Sequence, residues 1–460
     1  MGYLACLLAF TGCAVGPDYA ARTPAVDADF VQGVGRDAEP AAESVATFWR
    51  GFNDAQLNAL IEQALTANVD VKLAQARLQE ARANAGFTAA DRLPSIGTGA
   101  GVARDDPSGA EGSATEYSVS GNFNWELDFF GRKRRSVESA AALVQAGEAG
   151  VHAAQRLISA EVASNYLSLR GLQERLRVAQ DSLLVQREAL KLVEVREQLG
   201  SGTSLDVARA RALVDTTEAS IPVLQAGIAR AAYRLATLTG QTPRVVSVAL
   251  EESQPLPSLA ATDLSKLSVG TPAGMLRRRP DIRVAERQLA AATASIGVAE
   301  ADLFPRVSLT GLLGFSSRRW GDLLDRDSRN SNYGAFLNWT LLDFGRIRSR
   351  IKVSEARAQQ ALLVYEQTVQ LALEETEGAL AQYTRNGEQA ARLESAASNS
   401  EEAARLARIR FEAGATDFLT VLDAERSVLQ ARDALVQAQV GSLTSLVGVY
   451  RALGGGWVMP

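Results

Sequence analysis

Chemistry-bearing residues are scarce in this chain. Its 460 residues include one histidine, His152, and two cysteines, Cys6 and Cys13, both near the N-terminus. No His/Cys/carboxylate cluster has metal-ligand spacing, and no nucleophile elbow, phosphate-binding loop or dinucleotide fingerprint occurs. His152 stands alone in a helix-patterned stretch, where a surface role outweighs that of a base or ligand. Enzyme chemistry has almost nowhere to live, and neither metal nor cofactor is expected. A dominant charge is lacking as well. The 48 basic and 53 acidic residues leave a net −5, and no basic patch with interleaved aromatics stands out. Nucleic acid is thus a disfavoured partner. The apolar run Tyr3 to Phe10 is far shorter than the about 20 residues a membrane-spanning helix needs. Proline is absent from Arg132 to Leu199 and again from Arg346 to Ala413, so nothing breaks a helix there. With 47% hydrophobic and 22% charged residues, wholesale disorder is excluded, and the length suits two or three ordinary domains.

What the chain does have is a pattern stated twice, over residues 53–240 and 274–453. Asp70-Val71-Lys72-Leu73-Ala74, Leu93-Pro94-Ser95, Asn124-Trp125-Glu126-Leu127, Phe130-Gly131-Arg132 and Gly202-Thr203-Ser204 form the first statement. Asp281-Ile282-Arg283-Val284-Ala285, Phe304-Pro305-Arg306, Asn338-Trp339-Thr340-Leu341, Phe344-Gly345-Arg346 and Gly414-Ala415-Thr416 form the second. The offset is 211 at Asp70 and Asp281, 211 at Pro94 and Pro305, and 214 at Trp125 and Trp339. Such a register implies tandem duplication of one helix, strand, strand, long-helix unit.

In the first copy, Asn53-Asp54 offers an N-cap, and Leu57, Leu60, Ile61, Leu65, Val69, Leu73, Ala76 and Leu78 keep helical spacing toward Pro94. A clean alternation follows at Tyr117, Val119, Gly121, Phe123, Trp125 and Leu127, and again at Tyr333, Ala335, Leu337, Trp339 and Leu341. Partner strands are expected near Ile96–Arg104 and Val307–Phe315, with polar loops at 105–115 and 316–332, one β-hairpin per copy. A strand of about 10 residues, tilted, spans the apolar band of a membrane barrel. Tyr117, Trp125, Tyr333 and Trp339 would lie toward strand ends as an interfacial girdle. An ordinary sandwich sheet shows the same alternation. Four strands cannot close a transmembrane barrel, which needs about eight, so membrane strands would have to be shared between chains.

Each proline-free segment would be about 100 Å long as one helix. Leu169, Leu172, Leu176, Ala179, Leu183, Gln186, Leu190 and Val193 alternate spacings of three and four, a coiled-coil seam. Glycine turns at 200–202 and 414 then reverse the chain into return helices Ser204–Thr239 and Asp417–Leu453, the first kinked at Pro222. Residues 241–273, holding four prolines, read as a connector, and 454–460 as a tail. On the second return helix Leu419, Asp423 and Arg426 share one face. From spacing alone that is a solvated face with an Asp423–Arg426 pair. Residues 1–12 read as a signal peptide, or else as a buried strand, and 13–52 as an N-terminal tether.

Several of these stretches coincide with a known family. Cys13-Ala14-Val15-Gly16-Pro17-Asp18-Tyr19, Arg277-Arg278-Arg279-Pro280-Asp281-Ile282, the paired Phe-Gly-Arg hairpin exits and the turn from Gly414 to Arg426 together resemble the outer membrane efflux proteins. This is the TolC-like family, in its NodT/OprM-type lipoprotein branch. The resemblance implies a mainly α chain with a small β part. Three chains would form a twelve-stranded outer-membrane β-barrel continuous with an α-helical barrel. It further implies a lipid on Cys13, outer-membrane lipid as surroundings, and two protein partners, a periplasmic adaptor and an inner-membrane transporter of the RND type. Conduction would be passive. By resemblance Leu419, Asp423 and Arg426 match the family's aperture, Asp206 helps hold the closed tip, and Gly200, Gly202 and Gly414 mark adaptor-docking turns. Threefold symmetry would make Asp423 a carboxylate ring. Asp423 corresponds in the repeat to Arg209, so the two copies differ at the expected gate. Rival readings are the exit channel of a type I protein secretion system and, from another class, a lipid-anchored coiled-coil spacer without a pore.

Overall fold

The structure, a computed structural model, describes residues 14–21, 24–31, 48–105, 113–257 and 269–455. Cys6 and Cys13, with the expected signal peptide, lie outside the described residues. After a 3-10 turn at Phe48–Phe52, the elements run α1 (Ala55–Ala67), α2 (Val69–Ala90), β1 (Ser95–Asp105), β2 (Ala114–Leu127), α3 (Arg132–Gln198) and α4 (Ser204–Thr239). There follow α5 (Pro243–Ala249), α6 (Pro272–Arg278), α7 (Pro280–Glu300), β3 (Arg306–Ser317), β4 (Arg329–Asn338), α8 (Arg346–Glu412) and α9 (Phe418–Ala452).

The two long helices have 67 residues each, as the missing prolines suggested. Pro222 lies inside α4 without ending it. Seam residues Leu169, Ala179, Leu183, Gln186 and Val193 are buried. The first helix, by contrast, does not run unbroken from Asp54 toward Pro94. It stops at Asn68, whose ψ of 136° is extended. The Asn68 side chain accepts from the amides of Asp70 and Val71 and donates to the Leu238 carbonyl at 2.9 Å, so it caps α2 and pins the break. Nothing in local spacing foretells a contact 170 residues away.

The chain folds into two compact units. One takes residues 1–23, 76–150 and 283–368, and the other 24–75, 151–282 and 369–460. The first holds one antiparallel sheet in the order β1-β2-β3-β4. Both expected hairpins form, and β2 also pairs with β3, joining them. β4 begins at Arg329, earlier than the alternation indicated, because Arg329 and Ser331 put polar side chains at the apolar positions of the period while their backbones pair with Phe315 and Leu313. The second unit is built on an apolar core in which Phe48, Trp49, Leu57, Tyr166, Leu235 and Tyr450 take part. Among the described residues no helix is long and apolar enough to cross a membrane, which says nothing of a β-barrel.

Candidate functional site

Both helix turns expected at the tip have the same backbone bonds. At Gly200 (φ 72°) the chain leaves α3 with Gly200 N donating to Glu197 O and Ser201 N to Arg196 O. At Gly414 (φ 70°) Gly414 N donates to Phe411 O and Ala415 N to Arg410 O. This is the Schellman arrangement, and the left-handed residue is glycine because a Cβ there is penalised. Gly202 follows at close quarters, where a Cβ would fall 2.9 Å from Glu197 N. The helix starts are reciprocal. Thr203 accepts from Asp206 N and donates its hydroxyl to Asp206 Oδ2 at 2.7 Å, whereas Asp417 accepts from both the amide and the hydroxyl of Thr420. Those bonds from Thr420, reinforced by the charge of Arg209, hold the Asp417 carboxyl below the usual range.

One apolar cluster lies beneath both turns: Val193, Val207, Ala210, Ala407, Phe411, Phe418, Val421 and Leu422. The Arg196 guanidinium lies over the Phe411 ring, 4.1 Å from its centroid. Glu425, on the buried side of α9, accepts from Arg408 Nε at 2.8 Å. Packing on that side leaves Leu419, Asp423 and Arg426 together on the exposed face, where Arg426 donates to Asp423 Oδ1 at 2.7 Å. Leu419, Asp423 and Arg426 therefore share a face as expected, and Asp206 is engaged with its own cap at Thr203.

A second polar centre, outside the expected site residues, gathers around Arg279. Arg279, 4% exposed, makes a two-pronged contact with Asp281, reaches Glu375 at 2.7 Å, and donates to Ala452 O, the last carbonyl of α9. Arg156 donates to Arg451 O at 3.0 Å and to Asp281 at 3.3 Å. Two arginines thus complete the C-terminal end of α9, where carbonyls lack helical partners and cations are favoured. Burial pushes the Asp281 and Glu375 carboxyls up, but hydrogen bonds and charge from Arg279, with Arg156, outweigh it and hold both below their usual range. The run Arg277-Arg278-Arg279-Pro280-Asp281 was the available signal.

Of the four girdle aromatics, Trp125 and Trp339 match most closely. Each indole donates to the carbonyl two residues before the paired prolines, Trp125 to Arg92 O at 2.9 Å and Trp339 to Leu303 O at 3.0 Å. Tyr117 packs edge-on against Trp320, with centroids 5.6 Å apart, at the loop end of β2. Tyr333 is not at a strand end. With β4 starting at Arg329 it sits mid-strand, opposite Gly311, and is exposed.

Of the described parts of the expected tether, 14–21, 24–31 and 48–52, the last is no tether, since Phe48, Trp49 and Phe52 are buried in the core, and the first begins docked. Val15 N donates to Phe130 O, and Arg135 donates to the carbonyls of Val15 and Gly16 while pairing with Asp18 at 2.7 Å. Tyr19 donates to Glu286 at 2.8 Å. The backbone of Gly16 comes so close to Gly297 that a Cβ on Gly297 would fall 2.7 Å from Val15 O. Gly297→Val is expected to undock this segment, read as faster hydrogen exchange at the Val15 amide. An unchanged rate would show that the contact carries no weight.

Residues 60–241 and 272–455 each match the model of the family described as Outer membrane efflux protein. The chain belongs to that family. The outer-membrane channel OprN is 42% identical, with a TM-score of 0.88 over 97% of this chain and all of that one. The Cation efflux system protein CusC of Escherichia coli is 31% identical over 98% of this chain and 97% of its own length. Outer membrane protein OprJ of Pseudomonas aeruginosa is 32% identical over 99% and 96%. As a member of the outer membrane efflux proteins the chain has the TolC-like architecture, mostly helical with a small antiparallel sheet.

Proposed function

We propose that this chain is the exit duct of a tripartite efflux pump, a homotrimer whose strands form one transmembrane barrel and whose long helices form the periplasmic tunnel. The observation that carries this reading is the pairing of a sheet too small to close with two helices of 67 residues in a member of this family. Internal duplication supports it. The two hairpin registers, the two tip turns and the two indole contacts repeat at the same offsets, and the family's model matches twice. In this reading the two repeats span 53–240 and 274–453, with 241–273 between them, and lipid on Cys13 ties the tether that follows it to the outer membrane. Trp125, Trp339 and Tyr117 face the lipid interface. A periplasmic adaptor docks at the turns of Gly200, Gly202 and Gly414, and an RND-type inner-membrane transporter supplies the energy. The duct conducts passively and catalyses nothing.

The gate is the exposed face of α9. Three copies would bring three Leu419, Asp423 and Arg426 sets around one axis, where clustered carboxylates favour cations and strengthen the local field. Asp423→Ala removes the local pair with Arg426 and is expected to raise single-channel conductance of the purified protein in planar bilayers. An unchanged current would remove the gate assignment, and no channel at all would remove the duct.

A further inference from the structure

Among the described residues the sheet ends in two edge strands, β1 and β4, each paired along one side only. We propose that β4 of one chain pairs antiparallel with β1 of a second copy in the register that sets Leu337 opposite Ala100. This rests on the barrel shared between copies and adds the register in which it closes.

The chain already contains this junction once. In the first hairpin Ser95 faces Asn124, and in the second Arg306 faces Asn338, so the offsets of 211 for the first strand and 214 for the second map one hairpin onto the other. Between hairpins, Phe123 of β2 faces Gly311 of β3. Carrying Phe123 forward by 214 reaches Leu337, and carrying Gly311 back by 211 reaches Ala100. The same step turns Trp125 opposite Leu309 into Trp339 opposite Thr98 of the next copy.

Two further contacts obey the same operation. Phe130 stacks on Phe304 with centroids 4.6 Å apart. Their repeat mates are Phe344, 95% exposed, and Leu93, 67% exposed, each bare within one chain. Ala294 of α7 is fully buried, yet its mate Ala83 of α2 is exposed, with Phe87 beside it 73% exposed. The apolar groups left bare are thus halves of a junction the chain builds internally. A second copy, supplying the other half head to tail, is the occupant that fits, and such a contact closes into a ring. A lipid bilayer makes the pairing compulsory, since an open edge would leave backbone groups without partners.

The test is a register scan by cysteine pairs in the full-length protein in outer membranes. Ala100→Cys is combined in turn with Ala335→Cys, Leu337→Cys and Trp339→Cys, followed by mild oxidation and denaturing, non-reducing electrophoresis. Within one chain β1 and β4 are three strand spacings apart, about 14 Å, so any disulfide must link chains. Leu337→Cys is expected to give a ladder ending at the closed ring, with at least about fivefold more product than its neighbours, whose thiols are displaced about 7 Å along the strand. Val102→Cys with Ala335→Cys samples the same register by an independent pair and should give the same ladder. Most product at Ala335→Cys or Trp339→Cys with Ala100→Cys, or no inter-chain product from either in-register pair, overturns the proposal. Amine cross-linking of the unsubstituted protein separates the failures. A ladder there refutes the register alone, and its absence refutes the shared barrel as well.

Discussion

Arg279→Ala is expected to cost about 3–5 kcal/mol, read as a fall in the denaturant midpoint of helical circular dichroism. The side chain is 4% exposed and holds Asp281, Glu375 and the terminal carbonyl of α9 at once. Deleting it leaves two half-buried carboxylates with only Arg156 and Arg451 as remaining cations, and an under-compensated charge out of full contact with water is costlier than a missing pair. Acidity supplies a second reading. Both carboxyls are held below their ordinary values of 3.8 and 4.5, so their contribution is complete above about pH 5 and is lost as pH falls through the lowered folded values. Without Arg279 that downward pull weakens while the upward push of burial stays. The gap between the variant and the unsubstituted protein should therefore narrow below about pH 4, and a gap independent of pH would contradict the ion pairing.

Arg170→Ala is expected to be comparably damaging, about 3–5 kcal/mol, but without that acid dependence. Arg170 is fully buried and, among the described residues, meets no carboxylate directly. It donates to Tyr166 Oη at 3.1 Å, Gln173 Oε1 at 2.7 Å, Glu252 O at 2.8 Å and Gln56 Oε1. Tyr166 in turn donates to Asp54, the N-cap of α1, at 2.6 Å. The arginine thus joins α3 to the start of α1 and to the segment after α5, and its loss removes the donor from four acceptors, two of them on the buried Tyr166 and Gln173. Tyr166→Phe, which removes one link, should cost about 1–2 kcal/mol by the same measurement. Equal losses for the two variants would show that packing, not the hydrogen-bond network, sets the cost.

The long helices were legible from the absence of proline, and the hairpins from alternation, because backbone permission and side-chain period are local properties. The exposed face of Leu419, Asp423 and Arg426 was legible for the same reason. Phe418, Val421, Leu422 and Glu425 occupy the complementary positions and are the ones buried. The break at Asn68 was not legible, since it depends on Leu238, and the early start of β4 was hidden because Arg329 and Ser331 are polar at the apolar positions of the period and join the strand through their backbones. Arg170 gave no signal whatever, because an arginine on a helical repeat looks the same whether it meets water or glutamines.

By itself the amino-acid sequence determined the order of elements, the duplication pattern and the poverty of catalytic groups, all consequences of residue type and spacing. Only the tertiary structure decided that β2 and β3 join the hairpins into one sheet, that Arg279 and Arg156 close the end of α9, and that the chain after Cys13 is docked at Arg135 and Gly297. Those features depend on distances between residues far apart along the chain, where burial decides what a charge or a missing Cβ is worth, and no local period records that.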